Sequence, residues 1–171
     1  MIKRITLLLA GAMLLTQSVL AADEFTVAGV TFTKPKTWKK VAPASSMRKA
    51  QFAIEDGSKS AEVVFFYFGQ GGAGGVDANV KRWLGQFQKL DNNKQESKKV
   101  GGTKVTYVIA DGTYMVGKSF FGPKTPTPGY AMFAAIVESN QGAIFVKTTG
   151  PKKIVEGAHR DQRKMIEEAL K

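Results

Sequence analysis

Two glycine motifs in the sequence resemble loops that bind nucleotide phosphates. Residues 69–74 read GQGGAG, which satisfies G-x-G-x-x-G and lies between a predicted strand and a predicted helix. A dinucleotide site also needs a second parallel strand that ends in an acidic residue, and the polar segment 91–99 offers no apolar strand of this kind. We therefore interpret residues 69–75 as a flexible glycine turn, whose backbone N–H groups before a helix could hold an anion.

The second motif, residues 112–119, matches the phosphate-binding pattern G-x-x-x-x-G-K-[ST]. Its interior, Tyr-Met-Val, favours extended backbone, and a phosphate-binding loop must lead into a helix. Phe120 and Phe121 come next, followed by three prolines within the next seven residues, which excludes that helix. We interpret this match as a coincidence and predict no cofactor.

The chain has one histidine and no cysteine, which restricts catalytic and metal-binding chemistry. Basic residues at 160, 163 and 164 surround His159 and lower its affinity for a proton, so we predict a packing or surface role. Glu156 and Asp161 could begin a metal site with His159, but the basic neighbours oppose a cation. No serine lies in a G-x-S-x-G pattern. These residues favour a non-catalytic protein; an exported, hydrolase-like enzyme with a site assembled from distant residues is the alternative.

Arginine and amide side chains near the glycine turn are the candidate ligand-binding residues. A guanidinium group can form paired hydrogen bonds with carboxylate or phosphate, or stack on an aromatic ring such as that of Trp38 or Trp83. The alternative is structural, with Arg82 tying the helix to the sheet and both tryptophans packed in the core. The predicted site comprises Arg48, Gly71, Gly72, Gly74, Gly75, Asn79 and Arg82.

The elements that position these residues are short strands and two helices. Alternating or continuous apolar residues predict a hairpin at 25–35, turning at 28–29, and strands at 47–55, 60–69, 103–111, 130–138 and 143–150. Helical spacing predicts helices at 76–90 and 151–171, the second with an apolar stripe at Val155, Ala158, Met165, Ile166 and Ala169. Segment 91–99 reads as a solvated loop or the polar start of an edge strand. Segment 112–129 is predicted to help cover the sheet.

Strands in hairpin order with two helices predict an α+β fold with an antiparallel sheet. The segments VTFTKPKTW, GGTKVTYVIADGTY and YAMFAAIVESNQGAIFVKTTGPK, taken in this order, make the chain similar to the Mog1/PsbP-like fold family. The resemblance implies an α/β/α sandwich, with the antiparallel sheet covered by helices on both faces, and an accessory or binding role. The glycine turn departs from the family pattern, and no family binding residue maps onto this sequence.

The first 21 residues predict export from a bacterial cytoplasm. Lys3 and Arg4 precede an apolar run that is too short to remain as a membrane span, and Ala21 ends a small-residue cleavage pattern. We expect a periplasmic or secreted product, residues 22–171, with one domain and no transmembrane anchor. Because the chain lacks cysteine, a lipid anchor on cysteine and disulfide bonds are both excluded.

The net charge of +11 either keeps the protein soluble or attracts an anionic surface. No nucleic-acid-binding motif is present, and export removes that target. We therefore predict an exported, soluble binding or accessory protein. Its partner is a protein or an anionic envelope component, met through the glycine turn, the polar helix face or the proline-rich loop 119–130.

Overall fold

The computed structural model describes residues 23–117 and 122–171. The predicted signal segment 1–21 lies outside the described residues, as do Lys118, Ser119, Phe120 and Phe121. The described elements are β1 (Glu24–Val27), β2 (Val30–Thr33), β3 (Lys39–Lys40), β4 (Arg48–Asp56), β5 (Lys59–Tyr67), α1 (Val76–Leu84), β6 (Phe87–Val100), β7 (Thr103–Gly117), β8 (Lys124–Ser139), β9 (Gly142–Pro151) and α2 (Lys152–Glu168).

Seven of the strands form one sheet in the order β3-β4-β5-β9-β8-β7-β6, while β1 pairs with β2 separately. Every neighbouring pair in the large sheet is antiparallel. The predicted α+β class with an antiparallel sheet is therefore confirmed. Strand β9 lies near the centre of the sheet, and β3 and β6 are its edges.

The predicted opening hairpin is also confirmed. Ala28 and Gly29 form its turn with φ angles of 47° and 76°, and two successive left-handed residues suit a tight hairpin. The rings of Phe25 and Phe32 lie 4.8 and 5.2 Å, centroid to centroid, from Phe65 of β5. The hairpin thus packs its aromatic side chains against the large sheet.

Helix α2 buries one apolar side, which contains most of the predicted stripe. Its buried residues are Ile154, Val155, Ala158, Gln162, Met165 and Ile166. The polar exception, Gln162, accepts a hydrogen bond from the Thr148 hydroxyl of β9, which satisfies two buried polar groups at once. Neither helix of the described part is long and apolar enough to cross a membrane.

Strand β8 contributes alternate residues to two separate apolar clusters, which explains its continuous apolar sequence. The first cluster joins the hairpin and α2 to Ala131, Phe133, Ala135 and Val137. The second joins Val80 and Trp83 of α1 to Met132, Ala134 and Ile136.

The predicted helix at 76–90 is too long. Helix α1 ends at Leu84, and the Gly85 N–H closes its last turn by donating to the Lys81 carbonyl. Phe87 is buried in the second cluster as the first residue of β6, so its apolar character reflects a strand rather than a helix. Leu90, assigned to the same helix, is also in β6 and is 36% exposed.

Two segments without a firm strand prediction extend the sheet. Residues 91–99 lie within β6, so the edge-strand interpretation is correct and the loop interpretation is wrong. The prediction that 112–129 covers a sheet face is wrong where it is described, because β7 continues to Gly117 and β8 begins at Lys124. Residues such as Met115 and Val116 pair with Pro126 and Thr125, as their extended-backbone preference allows.

Candidate functional site

The glycine turn, residues 69–75, connects β5 to α1. A Cβ atom at Gly72 would lie 2.0 Å from the Phe68 carbonyl oxygen, so no larger residue fits there without movement. Three further glycines have φ angles between 71° and 83°, a region that only glycine enters at little cost: Gly69, Gly71 and Gly74. This glycine content is therefore a requirement of the turn's geometry.

Asn79 of α1 holds the glycine turn in place. Its side chain is 2% exposed, and Nδ2 donates to the carbonyl oxygens of Ala73, at 2.8 Å, and Gly75, at 2.9 Å. Its Oδ1 accepts a hydrogen bond from the Arg82 guanidinium. Asn79, Arg82 and Gly75, all predicted site residues, are thus joined in one hydrogen-bonded unit.

Lys147 of β9 lies at the centre of a polar network beside α1. Its Nζ donates to Gln86 Oε1 at 2.8 Å and to the Tyr114 hydroxyl at 3.2 Å. That hydroxyl donates in turn to Gln86 Oε1 at 2.8 Å. The network therefore ties the segment after α1 to β7 and β9.

Arg48, at the start of β4, lies opposite Phe66 of β5, the strand between β4 and β9. Its Nη1 donates to Glu62 Oε1 at 2.6 Å, and Gln51 Nε2 donates to the same oxygen at 2.7 Å. Lys147 lies opposite Val64 on β5, so Glu62, two residues away, is its diagonal neighbour on the same face. We call the seven side chains of this region the Lys147 cluster: Arg48, Gln51, Glu62, Arg82, Gln86, Tyr114 and Lys147.

Burial and neighbouring charges shift the pKa values of two groups in the Lys147 cluster. Burial is the main cause that lowers the pKa of Lys147 to about 8, and the charges of Arg82, Arg48 and Lys124 lower it further. Glu62 opposes this shift. Burial also raises the pKa of Tyr114 to about 12, so its hydroxyl stays protonated at neutral pH.

An aromatic rim borders the Lys147 cluster next to the glycine turn. Phe68, which is 36% exposed, lies with its ring centroid 6.1 Å from Phe66 and 5.9 Å from Phe145. Trp83 of α1 meets Phe145 edge-on at 6.0 Å. The core alternative for the tryptophans is correct, since Trp83 and Trp38 are 4% and 2% exposed.

His159 of α2 packs against Phe133 of β8, a residue of the first apolar cluster. Its ring centroid lies 4.0 Å from that of Phe133, and its buried Nε2 has no hydrogen-bond partner among the described residues. Burial and the Arg163 charge lower its pKa. Asp111, Glu156 and His159 line a pocket of about 30 Å³, enough for one or two water molecules. The described residues contain no group of three acidic or histidine side chains placed to hold a metal.

The second phosphate-loop look-alike lies in a strand as far as it is described. Residues 112–117 belong to β7, while Lys118 and Ser119 are outside the described residues. Gly112 lies opposite Leu90 of β6, where a Cβ atom would be 2.1 Å from the Lys89 carbonyl oxygen. This glycine permits the close approach of two strands.

Neither a family model nor a curated protein sequence matches the chain. Among solved structures, the cyanobacterial PsbP protein (CyanoP) of Synechocystis matches with a TM-score of 0.52 and 12% identity over 84% of this chain and 88% of that chain. A Pseudomonas aeruginosa protein of unknown function, described as a candidate regulator, matches with a TM-score of 0.42 and 11% identity over 84% and 92%. The CyanoP match confirms a PsbP-like fold, as the sequence resemblance implied, and at this identity it shows the fold alone.

Sequence reasoning placed Arg48, Asn79 and Arg82 in a site but missed the residue between them. The available signal was Lys147 itself, a lone charge within the otherwise apolar and β-branched strand AIFVKTT. A charge at such a position must be paired or must serve a ligand. Gln86 and Tyr114 carried no comparable signal, since one was assigned to a helix and the other to a discarded motif.

Proposed function

We propose that this protein is an exported, soluble binding or accessory protein of the bacterial envelope. Its partner, a protein or an anionic envelope component, would contact the face that carries the Lys147 cluster. The observation that supports this proposal is that Arg48 and Arg82 both act electrostatically on Lys147, while the Arg48 guanidinium lies 5.9 Å from the centroid of Phe66, on which the exposed ring of Phe68 stacks. Arginine and aromatic side chains dominate the energetics of protein interfaces.

The shape of the surface also favours binding over enclosure of a substrate. The Arg48 and Glu62 side chains are 23% and 42% exposed, so these two members of the cluster are accessible on an open face. Two pockets of the described residues, one beside His159 and one beside Phe25 of the hairpin, have volumes of about 30 Å³ each. Pockets for small-molecule ligands usually have volumes of roughly 300–1,000 Å³.

We further propose that α1 and α2 cover opposite faces of the sheet in an α/β/α sandwich, and that residues 22–171 form one exported domain. The two apolar clusters, each containing residues of a different helix, support the sandwich. Fractionation of cells that express the full chain, with sequencing of its N-terminus, tests export. Recovery of the intact N-terminus in the cytoplasm would contradict it.

A photocross-linking comparison tests the binding face. p-Benzoylphenylalanine at Phe68 keeps an aromatic ring beside the Lys147 cluster, and the same probe at the exposed Arg160 of α2 is the control. We expect a discrete adduct from position 68 in intact cells and none from position 160. Combining the probe with Arg48→Gln and Arg82→Gln should abolish the adduct. Equal labelling from both positions, or an adduct that survives both substitutions, would contradict the proposal.

The hydrolase-like enzyme is the second candidate because His159 and two carboxylates line one pocket. An imidazole with a lowered pKa is neutral at pH 7 and able to accept a proton from a bound water. Turnover of nitrophenyl ester, phosphate or glycoside substrates that disappears in His159→Gln would favour this candidate. Equal rates for the wild type and the variant would exclude His159 as its base.

A further inference from the structure

Positive charges from three elements meet around Lys147. Arg48 comes from β4, Arg82 from α1 and Lys147 from β9, and both arginines are near enough to act electrostatically on the lysine. Trp83, the neighbour of Arg82, rests on Phe145, which lies two residues before Lys147 on the same face of β9. This packing places the end of α1 over the strand that carries the lysine.

Among these three cations, Arg48 has an ion pair with a carboxylate, that of Glu62, and Lys124 of β8 adds a further positive charge that acts on Lys147. Glu62 acts on Lys147 and already accepts hydrogen bonds from Arg48 and Gln51 through one oxygen. Arg82 has a neutral partner, the Asn79 amide oxygen. Lys147 likewise donates only to neutral oxygens, those of Gln86 and Tyr114. Arg82 and Lys147 therefore make their hydrogen bonds within the described residues to neutral oxygens.

We propose that a dianionic phosphate group binds between Arg48, Arg82 and Lys147. The proposal rests on the proposed function and names the chemistry of its partner. A dianion supplies more negative charge and more acceptor oxygens to Arg82 and Lys147, which have neutral partners, than a singly charged carboxylate does. Guanidinium forks hold phosphate oxygens in pairs, while an ammonium acts as a point charge.

The network around Lys147 is suited to this ligand. Gln86 and Tyr114 take two of the three N–H groups of the ammonium, which fixes its position and leaves a third donor. Asn79 fixes Arg82 in the same way, so little side-chain entropy is lost on binding. A dianion beside Lys147 also compensates the charges that lower its pKa.

Isothermal titration of the protein, purified in the form that cells produce, with inorganic phosphate at fixed ionic strength tests the site. Arg82→Gln and Arg160→Gln each remove one guanidinium, and Arg160 is exposed on α2 away from the cluster. We expect saturable binding that weakens about tenfold or more in Arg82→Gln, as the loss of a charged hydrogen bond implies. Arg160→Gln should change the affinity less than about twofold. No saturable binding, or equal losses in the two variants, would overturn the proposal.

A second titration identifies the source of the phosphate group. Vesicles of phosphatidic acid, whose phosphomonoester headgroup can carry two negative charges, would assign the site to a lipid headgroup if they displace bound inorganic phosphate, and phosphatidylcholine vesicles are the control. Retained phosphate in the presence of both vesicles would assign the site to a free or soluble phosphate. If phosphate binds but the cross-linked adduct at position 68 is missing, the proposed partner-binding function fails while the phosphate site stands. If the adduct forms but phosphate does not bind, the phosphate site fails while the partner-binding function stands.

Discussion

Replacing Asn79 with alanine should loosen the glycine turn and lower the stability of the protein. The substitution removes the donors that hold the carbonyl oxygens of Ala73 and Gly75 at 2.8 and 2.9 Å. Each such hydrogen bond contributes about 0.5–1.5 kcal/mol net, so the free energy of unfolding should fall by about 1–3 kcal/mol. For a chain of this size, each 1 kcal/mol corresponds to a decrease of about 2–4 °C in Tm.

Urea unfolding followed by tryptophan fluorescence measures this change, because Trp83 lies in the same helix. Asn93→Ala is the matched control, since Asn93 is exposed in the edge strand β6. Asn79→Asp keeps the side-chain volume but presents a carboxylate oxygen to the two carbonyls, so it should also destabilise. A loss in Asn79→Ala below about 0.5 kcal/mol, no larger than in the control, would refute the reasoning. If Asn79→Asp is as stable as the wild type, any loss of stability in Asn79→Ala comes from packing rather than from the two hydrogen bonds.

Three further predictions concern the discarded motif and the two titrating groups. Gly112→Ala should lower Tm more than Gly157→Ala, because its Cβ meets the Lys89 carbonyl whereas Gly157 has open space around it; equal losses would contradict this. In urea unfolding between about pH 8 and 10, the wild type should gain stability relative to Lys147→Met. The Lys147 amine has a pKa of about 8 in the folded protein, so it loses its proton at a lower pH than the same amine in the unfolded chain. From pH 7 to about 5, the wild type should lose stability relative to His159→Gln, because only the unfolded imidazole binds a proton near its ordinary pKa. For Lys147 or His159, parallel stability-versus-pH profiles of the wild type and the variant would contradict the prediction for that residue.

Local patterns in the sequence were sufficient to predict most of the fold. Three features follow from the local sequence of a single element. They are the turn at Ala28 and Gly29, the apolar run of β8 and the apolar stripe of α2. The error at Phe87 has a physical cause, since an apolar residue four positions after Trp83 fits a helix and a following strand equally well. Gly85 marks the boundary, but a single glycine is tolerated within helices.

The candidate site could be predicted only in part, because it depends on strand order. Asn79 and Arg82 are one turn apart on α1 and were recognisable together. Lys147 is more than 60 residues further along the chain, and it meets Gln86 only because β9 lies between β5 and β8 in the sheet. No local pattern specifies that order.

The most direct test of the binding site is a two-dimensional NMR titration of the side-chain N–H groups with inorganic phosphate. If the Lys147 cluster binds phosphate, the largest shifts will occur at the Arg48 and Arg82 guanidinium groups and the Lys147 ammonium. They will saturate with one binding constant, while the Arg160 signal changes little. Shifts that are largest at Arg160, or that rise linearly and equally at all basic side chains, would contradict the account.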